Sequence, residues 1–385
     1  MDPGTALELV KHGVTLLFLD VPQYTLLGID TQMFSVGPSF KGIKMIPPGI
    51  HFVYYSSSTR EGKEFSPVIG FFIDVGPSEV IVRKWDKQEE RLVKASEDEE
   101  ERYIQAVKNL EFDRNLGPYN LSHYEEWKQL SNFITKSVKE RLEPIGGEIT
   151  VECEDDVVRS SSANKTPMEN ALDKQLKAGN SATSIGKSQR KGCYYTPIPR
   201  VVKRKGVSGT ELTSLNLDKT QLLETLLAKE YGGSEDLLLG EVQFSFIAFL
   251  MGQSLEAFFQ WKSLVSLFLG CTEAPFKTRT QLFTKFIRVI YYQLKYGLQK
   301  DRIGESVLPL LDDSWLSADS FLDRLCKDFF SLFEDGSVVD GDLLSWTRKF
   351  KELLENNLGW EFQPCSAIEE DDEFAPQVEI IGDEA

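Results

Sequence analysis

Histidine and cysteine are scarce in this chain of 385 residues, which holds three His (His12, His51, His123) and five Cys (Cys153, Cys193, Cys271, Cys326, Cys365). The His are far apart in sequence, leaving little material for imidazole catalysis or His-pair metal ligation. The cysteine count is odd and includes no C-x-x-C pair. A disulfide framework and a thiolate zinc site are therefore unexpected, and a reducing compartment fits better. Long hydrophobic runs are also missing. The most apolar stretch, Val242 to Leu255, is interrupted by Gln243, Ser245 and Gln253. A membrane span needs roughly 20 apolar residues, so a buried core helix is expected there. The early run Val14–Leu19 is too short for the core of a secretory signal. Positive charge is in deficit: Lys plus Arg number 43 against 60 Asp plus Glu, a net charge of −17. Such a surface repels phosphates, which excludes nucleic-acid binding through the general surface and favours a protein partner.

Apolar mass is plentiful. Hydrophobic residues make up 41%, with 25 Phe, 12 Tyr and 6 Trp, enough for more than one core. At ~150 residues per domain the length allows two or three domains.

Four regions follow from pattern. Residues 1–154 open with short β-branched and aromatic runs (Val14–Leu19, Leu26–Ile29, Ile43–Ile46, His51–Tyr55, Val68–Val75, Val80–Trp85) separated by Pro/Gly turns. This predicts an antiparallel sandwich or barrel. Two helices complete that domain. One starts at the capping box Ser96–Glu99 and runs to Leu110. The other starts at Ser122–Glu125 and continues to Leu142, with Trp127, Leu130, Ile134, Val138 and Leu142 on one face. Residues 155–210 lose apolar periodicity, and over 157–210 seven Lys and four Arg face only Glu169 and Asp173. A basic flexible linker is expected. Residues 211–361 read as about seven helices with short connections, an all-α domain punctuated by glycines. Residues 362–385 form an acidic tail that contains Glu369–Glu373 and then the strand-like Phe374–Ile381. The fold class is thus α+β multidomain.

Chemistry-bearing motifs are thin. Ser181–Ser188 matches a phosphate-binding loop except that Ser181 stands where the first Gly is required, and it lacks a preceding strand. Asp335–Asp342 lacks EF-hand ligand spacing. His51 sits inside an aromatic strand and reads as a structural histidine. No catalytic residue, cofactor or metal is expected. Arg190-Lys191 and Lys203-Arg204-Lys205 have the form of a bipartite nuclear-import signal, and Thr166-Pro167 and Thr196-Pro197 suit a proline-directed kinase. In the tail, Phe374, Val378, Ile380 and Ile381 are positioned to add a strand to a partner's sheet edge. These features describe a non-enzymatic interaction protein. An enzyme of unknown type and a trafficking adaptor remain as alternatives, separable by activity assay and by binding to sorting peptides or membranes.

Longer motifs carry a resemblance. The segments Gly28-Ile29-Asp30, Val36 through Phe52 with Met45-Ile46-Pro47-Pro48-Gly49-Ile50-His51-Phe52 at its end, and Leu116-Gly117-Pro118-Tyr119 occur in order. So do Leu239-Gly240-Glu241-Val242-Gln243-Phe244 and Glu256-Ala257-Phe258 in the second domain. The chain resembles the AAR-two splicing-factor family in both domains, but not in the linker. The resemblance implies a β-sandwich-like domain followed by a VHS-like helical domain, and no catalysis. It implies assembly of the U5 small nuclear ribonucleoprotein through the large U5 scaffold protein, Prp-eight. The contacts would be made to that protein's RNase H-like and Jab/MPN-like domains, and they would keep the U4/U6-unwinding helicase off. Nucleus and cytoplasm are the expected locations.

Overall fold

The computed structural model describes residues 3–58, 65–151, 192–199, 208–302, 321–333 and 341–362. The chain begins with α1 (Pro3–His12), which composition did not signal. It then lays down β1 (Val14–Leu19), β2 (Leu26–Ile29), β3 (Gln32–Ser35), β4 (Gly42–Ile46), β5 (Gly49–Ser56), β6 (Ile69–Val75), β7 (Val80–Asp86) and β8 (Arg91–Lys94). α2 (Glu97–Lys108) follows, then β9 (Leu116–Pro118), α3 (Tyr124–Ser131), α4 (Lys136–Leu142) and β10 (Ile149–Thr150). One five-stranded sheet runs β8-β7-β1-β4-β9, the other β10-β6-β5-β2-β3. The sandwich expectation holds, but not the antiparallel one throughout. β1 pairs parallel with β7, and β4 pairs parallel with β9.

The strands do not alternate apolar and polar because both faces are covered. On β1, Leu16 and Phe18 face the inter-sheet core while Leu17 and Leu19 pack with Val82, Val107 and Leu116 on the α2 side. On β5, Val53 and Tyr55 enter the sandwich core, and Phe52 and Tyr54 join the core of the helical half. Gly28 and Gly70 sit under the Tyr54 and Phe52 rings, where a Cβ would collide with the aromatic carbons. Glycine in these strands therefore makes room for the rings that reach toward the helices.

The helical half comprises α5 (Gly209–Leu217), α6 (Thr220–Lys229), α7 (Glu235–Leu250), α8 (Leu255–Leu269), α9 (Ala274–Lys277), α10 (Thr280–Arg302), α11 (Phe321–Ser331) and α12 (Gly341–Leu358). Ser234 and Ser254 cap α7 and α8 by accepting from Leu237 and Ala257 N–H. From Leu238 to Leu250 every residue of α7 is buried. That is the core helix expected from the longest apolar run, although it stops at Leu250 and α8 begins at Leu255.

Three expectations need correction. The helix read as continuous from Ser122 to Leu142 is broken. Asn120, not Ser122, starts a short 3-10 turn, and Thr135 caps a separate α4. The residues forecast for the buried face (Trp127, Leu130, Ile134, Val138, Leu142) are all buried, but they are divided between two helices, with Ile134 in the break. The break has a tertiary cause. The Gln243 amide accepts from Phe133 N–H at 2.7 Å and donates to the Gln129 carbonyl at 3.2 Å, taking both partners of the hydrogen bond that would have continued the helix. Second, the two halves, read from the sequence as separate domains, share a hydrophobic core. One core cluster spans Phe52, Phe72, Trp127, Phe244 and Phe350. Third, part of the expected flexible linker is packed: Cys193, Tyr195 and Thr196 are buried. Protease cleavage of the native chain is therefore expected to spare 192–199, which partial digestion with mass-spectrometric mapping would check.

Cys193, Cys271 and Cys326 are buried. Among the described residues no helix is long and apolar enough to cross a membrane.

Candidate functional site: the domain junction and the Pro-Pro-Gly corner

The segment Met45-Ile46-Pro47-Pro48-Gly49 is a corner between sheets, not a hairpin, because β4 and β5 belong to different sheets. Met45 takes a left-handed conformation (φ 62°) next to the register break between β1 and β4, and Gly49 has φ 134°. Open space surrounds a Cβ placed on Gly49, so dihedral and not room demands glycine there. Ile46 and Pro47 are buried, and Pro48 is exposed.

His51 locks this corner. Its Nδ1 lies 2.7 Å from an Asp30 carboxylate oxygen and its Nε2 lies 2.7 Å from the Pro47 carbonyl. Both neighbours are acceptors, so both ring nitrogens donate and the imidazolium is the form that fits. The same carboxylate accepts from Phe52 N–H and from the Tyr119 hydroxyl. Burial on its own lowers the His51 pKa, but the Asp30 charge and the two hydrogen bonds outweigh it, and the net shift is upward. The Asp–His pair has two members of a hydrolytic triad without the third: Nε2 is spent on a backbone carbonyl, and the ring is fully buried. Its role is structural, as the strand position implied.

A pH dependence follows. A folded-state pKa raised above the ordinary 6.5 contributes stability that is complete below that value. The contribution is lost as pH rises through the folded pKa. Between mild acid and alkali, wild type is expected to lose stability more steeply than His51→Gln, by up to ~1.4 kcal/mol per pH unit. Equal slopes in urea titrations across pH would refute it.

The second cluster sits where the halves meet. Residues 192–199 cross the groove between α4 and α7/α8. Tyr194 N–H donates to the Leu142 carbonyl at the end of α4, and Cys193 N–H to a Glu256 carboxylate oxygen. Thr196 makes four hydrogen bonds. Its N–H and hydroxyl each donate to Glu241 at 2.8 Å, its hydroxyl accepts from Arg141 at 2.7 Å, and its carbonyl accepts from the Gln260 amide at 2.9 Å. Gln260 and the Tyr231 hydroxyl also donate to Glu241. Glu241 is 1% exposed, so a carboxylate inside the protein is held by four donors. Burial, and then the Glu241 charge, push the Tyr231 phenol pKa up.

Four residues of the motif Leu239–Phe244 serve this junction. A Cβ on Gly240 would lie 2.6 Å from the Phe133 carbonyl, Glu241 fastens the 192–199 strap, Gln243 breaks the α3–α4 helix, and Phe244 stacks on Phe72 at 4.5 Å. The sequence signal for them was the motif itself; the partners Arg141, Tyr231 and Gln260 carried none. Thr196, expected as a phosphorylation site, is 3% exposed with its hydroxyl engaged, so a kinase reaches it only when the strap is released. Thr166, the phosphate-loop-like Ser181–Ser188, and the tail residues Phe374, Val378, Ile380 and Ile381 lie outside the described residues.

A separate cleft at the far end of the sandwich is lined by Asp20, Pro22, Ser57, Phe65, Trp85 and Lys87. Among the described residues no group of His, Cys, Asp and Glu could hold a metal ion.

Two family models match this chain: the AAR2 N-terminal domain over residues 12–144 and the AAR2 C-terminal repeat region over 195–363. The C-terminal match opens within the strap. The human protein AAR2 homolog is 32% identical over 380 residues, covering 94% of this chain and 93% of that protein. The Caenorhabditis elegans protein AAR2 homolog is 31% identical, covering 91% and 95%. The Saccharomyces cerevisiae A1 cistron-splicing factor AAR2 is 21% identical over 291 residues, covering 73% and 76%. With a family model matching each half and relatives matched over most of its length, the chain belongs to the AAR2 family.

Proposed function

We propose that this protein acts in pre-mRNA splicing as a non-enzymatic assembly factor for the U5 small nuclear ribonucleoprotein. The observation that carries the reading is membership of the AAR2 family across both halves, one relative being named a splicing factor. The junction suits such a role. A shared core and a buried hydrogen-bonded strap hold two domains as one body, so a partner meets a surface of fixed shape. In this proposal the partner is the large U5 scaffold protein, Prp-eight, engaged at its RNase H-like and Jab/MPN-like domains, and the U4/U6-unwinding helicase is excluded while the factor is bound. The tail adds a strand to the scaffold through Val378 and Ile380, with Phe374 and Ile381 as flanking anchors, and phosphorylation at Thr166 or Thr196 weakens binding. The protein works in nucleus and cytoplasm.

Affinity capture from nuclear and cytoplasmic extracts is expected to recover Prp-eight and U5 proteins without the helicase. A complex that holds helicase and this protein together at full occupancy would overturn the exclusion. Deleting 370–385, or Val378→Pro alone, should weaken capture while thermal unfolding stays unchanged. Wild-type capture by both would reduce the tail to a solubility device.

A further inference from the structure

On the outer face of the helical half, α10 and α12 build a platform of aromatic rings and cations. Trp346 of α12 lies at 5.7 Å and 6.1 Å from the Tyr291 and Tyr292 rings of α10. The Arg288 guanidinium sits over the same indole at 5.5 Å, and the Lys349 ammonium at 4.6 Å. Arg288 and Lys349 are exposed, the three rings half-buried. Among the described residues neither cation has a carboxylate partner. From Thr280 to Gln299, α10 carries Lys285, Arg288 and Lys295 and no acidic residue, in a chain of net charge −17. Two like charges gathered on one indole repel each other, and an anion bridging them relieves that repulsion.

The chain carries such an anion close by. Residues 363–385 hold eight Asp and Glu and no Lys or Arg, and the densest block, Glu369–Glu373, is followed by Phe374. The described chain ends beside the platform. Phe362 packs on Phe330 at 4.9 Å, Phe330 packs on Phe350 at 5.6 Å, and Phe350 is one helical turn from Trp346. That path is roughly 16 Å, with the turn taken as ~5.4 Å. The seven residues from Phe362 to Glu369 span up to ~23 Å when extended. We propose that the acidic block Glu369–Glu373, with Phe374, docks in cis on the Arg288–Trp346–Lys349 platform. The tail is then stored on its own domain until a competitor displaces it. Nucleic acid is the poorer occupant, since the platform is small and the surrounding protein strongly negative. The docking stands apart from any assembly role, and its test uses no partner, so its failure leaves that role untouched.

The experiment compares two full-length chains: wild type, and a variant in which Glu369→Gln, Glu370→Gln, Asp371→Asn, Asp372→Asn and Glu373→Gln discharge the tail. A fluorescent peptide spanning 366–381 is titrated into each. A short tether gives the cis tail an effective concentration near ~1 mM, so for a peptide that binds at ~100 µM the wild type should bind ~10-fold more weakly than the discharged variant. Adding Arg288→Glu and Lys349→Glu to the discharged variant should abolish peptide binding, with circular dichroism showing an intact fold. High salt should have the same effect, because ~1 M salt shrinks the screening length to ~3 Å. Carbodiimide coupling of wild type should join Lys349 to an acid within 369–373. Equal peptide affinity for wild type and discharged chains overturns the proposal. So does binding that survives charge reversal on a folded protein. An RNA oligonucleotide that binds both chains alike would make the face a nucleic-acid site and likewise overturn it.

Discussion

Glu241→Leu should unfasten the strap and destabilise the protein by about 3–5 kcal/mol, the cost of removing one partner from a buried charged network. The leucine fills much of the volume but accepts nothing. The Thr196 N–H and hydroxyl, the Gln260 amide and the Tyr231 hydroxyl then lose the acceptor on which they converge. At ~2–4 °C per kcal/mol, the midpoint of thermal unfolding should fall by on the order of 10 °C. Amide exchange at Tyr194 and Thr196 should rise with it, since those N–H groups bond only through the strapped geometry. Thr196→Val keeps the shape, removes one donor, and should cost only ~1–2 kcal/mol. Thr196→Glu sets a second carboxylate against Glu241 and should approach the Glu241→Leu loss. Unchanged melting and protected strap amides in Glu241→Leu would show that aromatic packing alone holds the halves together.

Gly240→Ala is expected to destabilise, against its local propensity. Alanine in a helix interior is favoured over glycine by about 1 kcal/mol. Here the added methyl would stand 2.6 Å from the Phe133 carbonyl oxygen and 2.6 Å from a Val138 methyl. Backbone and a β-branched residue cannot step aside as the end of a flexible side chain can. Overpacking of this kind costs about 1–3 kcal/mol, and Gly240→Leu should cost more. The clash pushes the turn at 132–135 off α7, so the Gln243–Phe133 hydrogen bond is lost with it. Gly209→Ala in α5 meets no atom within 4 Å and serves as the control, expected neutral or slightly stabilising. Denaturant titration decides: a Gly240→Ala variant as stable as wild type would mean that the helices of the two halves are not in rigid contact.

Legibility differed by kind of signal. The positions of six of the ten described strands were readable because turn residues such as Gly76-Pro77 and Pro47-Pro48-Gly49 interrupt the apolar runs, whereas the short β3, β8, β9 and β10 carried no such mark. The parallel pairings of β1 with β7 and β4 with β9 were not, because pairing partners leave no local mark. The buried face of α3 and α4 was legible from spacing, but the break between them was not, since the group that makes it, Gln243, lies 110 residues away from Phe133. Composition placed 192–199 in a linker because its neighbours are basic and polar. Its burial depends on Glu241, Glu256 and Gln260, which composition cannot connect to it. The motif with Met45, Ile46, Pro47, Pro48, Gly49 and His51 identified the family without revealing that Pro47 and His51 bond to each other.

By itself, then, the sequence determined the class of most elements, the apolar faces, the capping serine of α2, and the family. These depend on residues within a turn or two of one another, or on the order of motifs along the chain. Only the tertiary structure decided that the halves share one core, that the Pro-Pro-Gly corner is closed by a buried imidazolium, and that a stretch of apparent linker is a strap. Each of those rests on a charge or an amide whose partner is distant in sequence. The desolvation that makes the partner necessary arises only once the chain has folded around it.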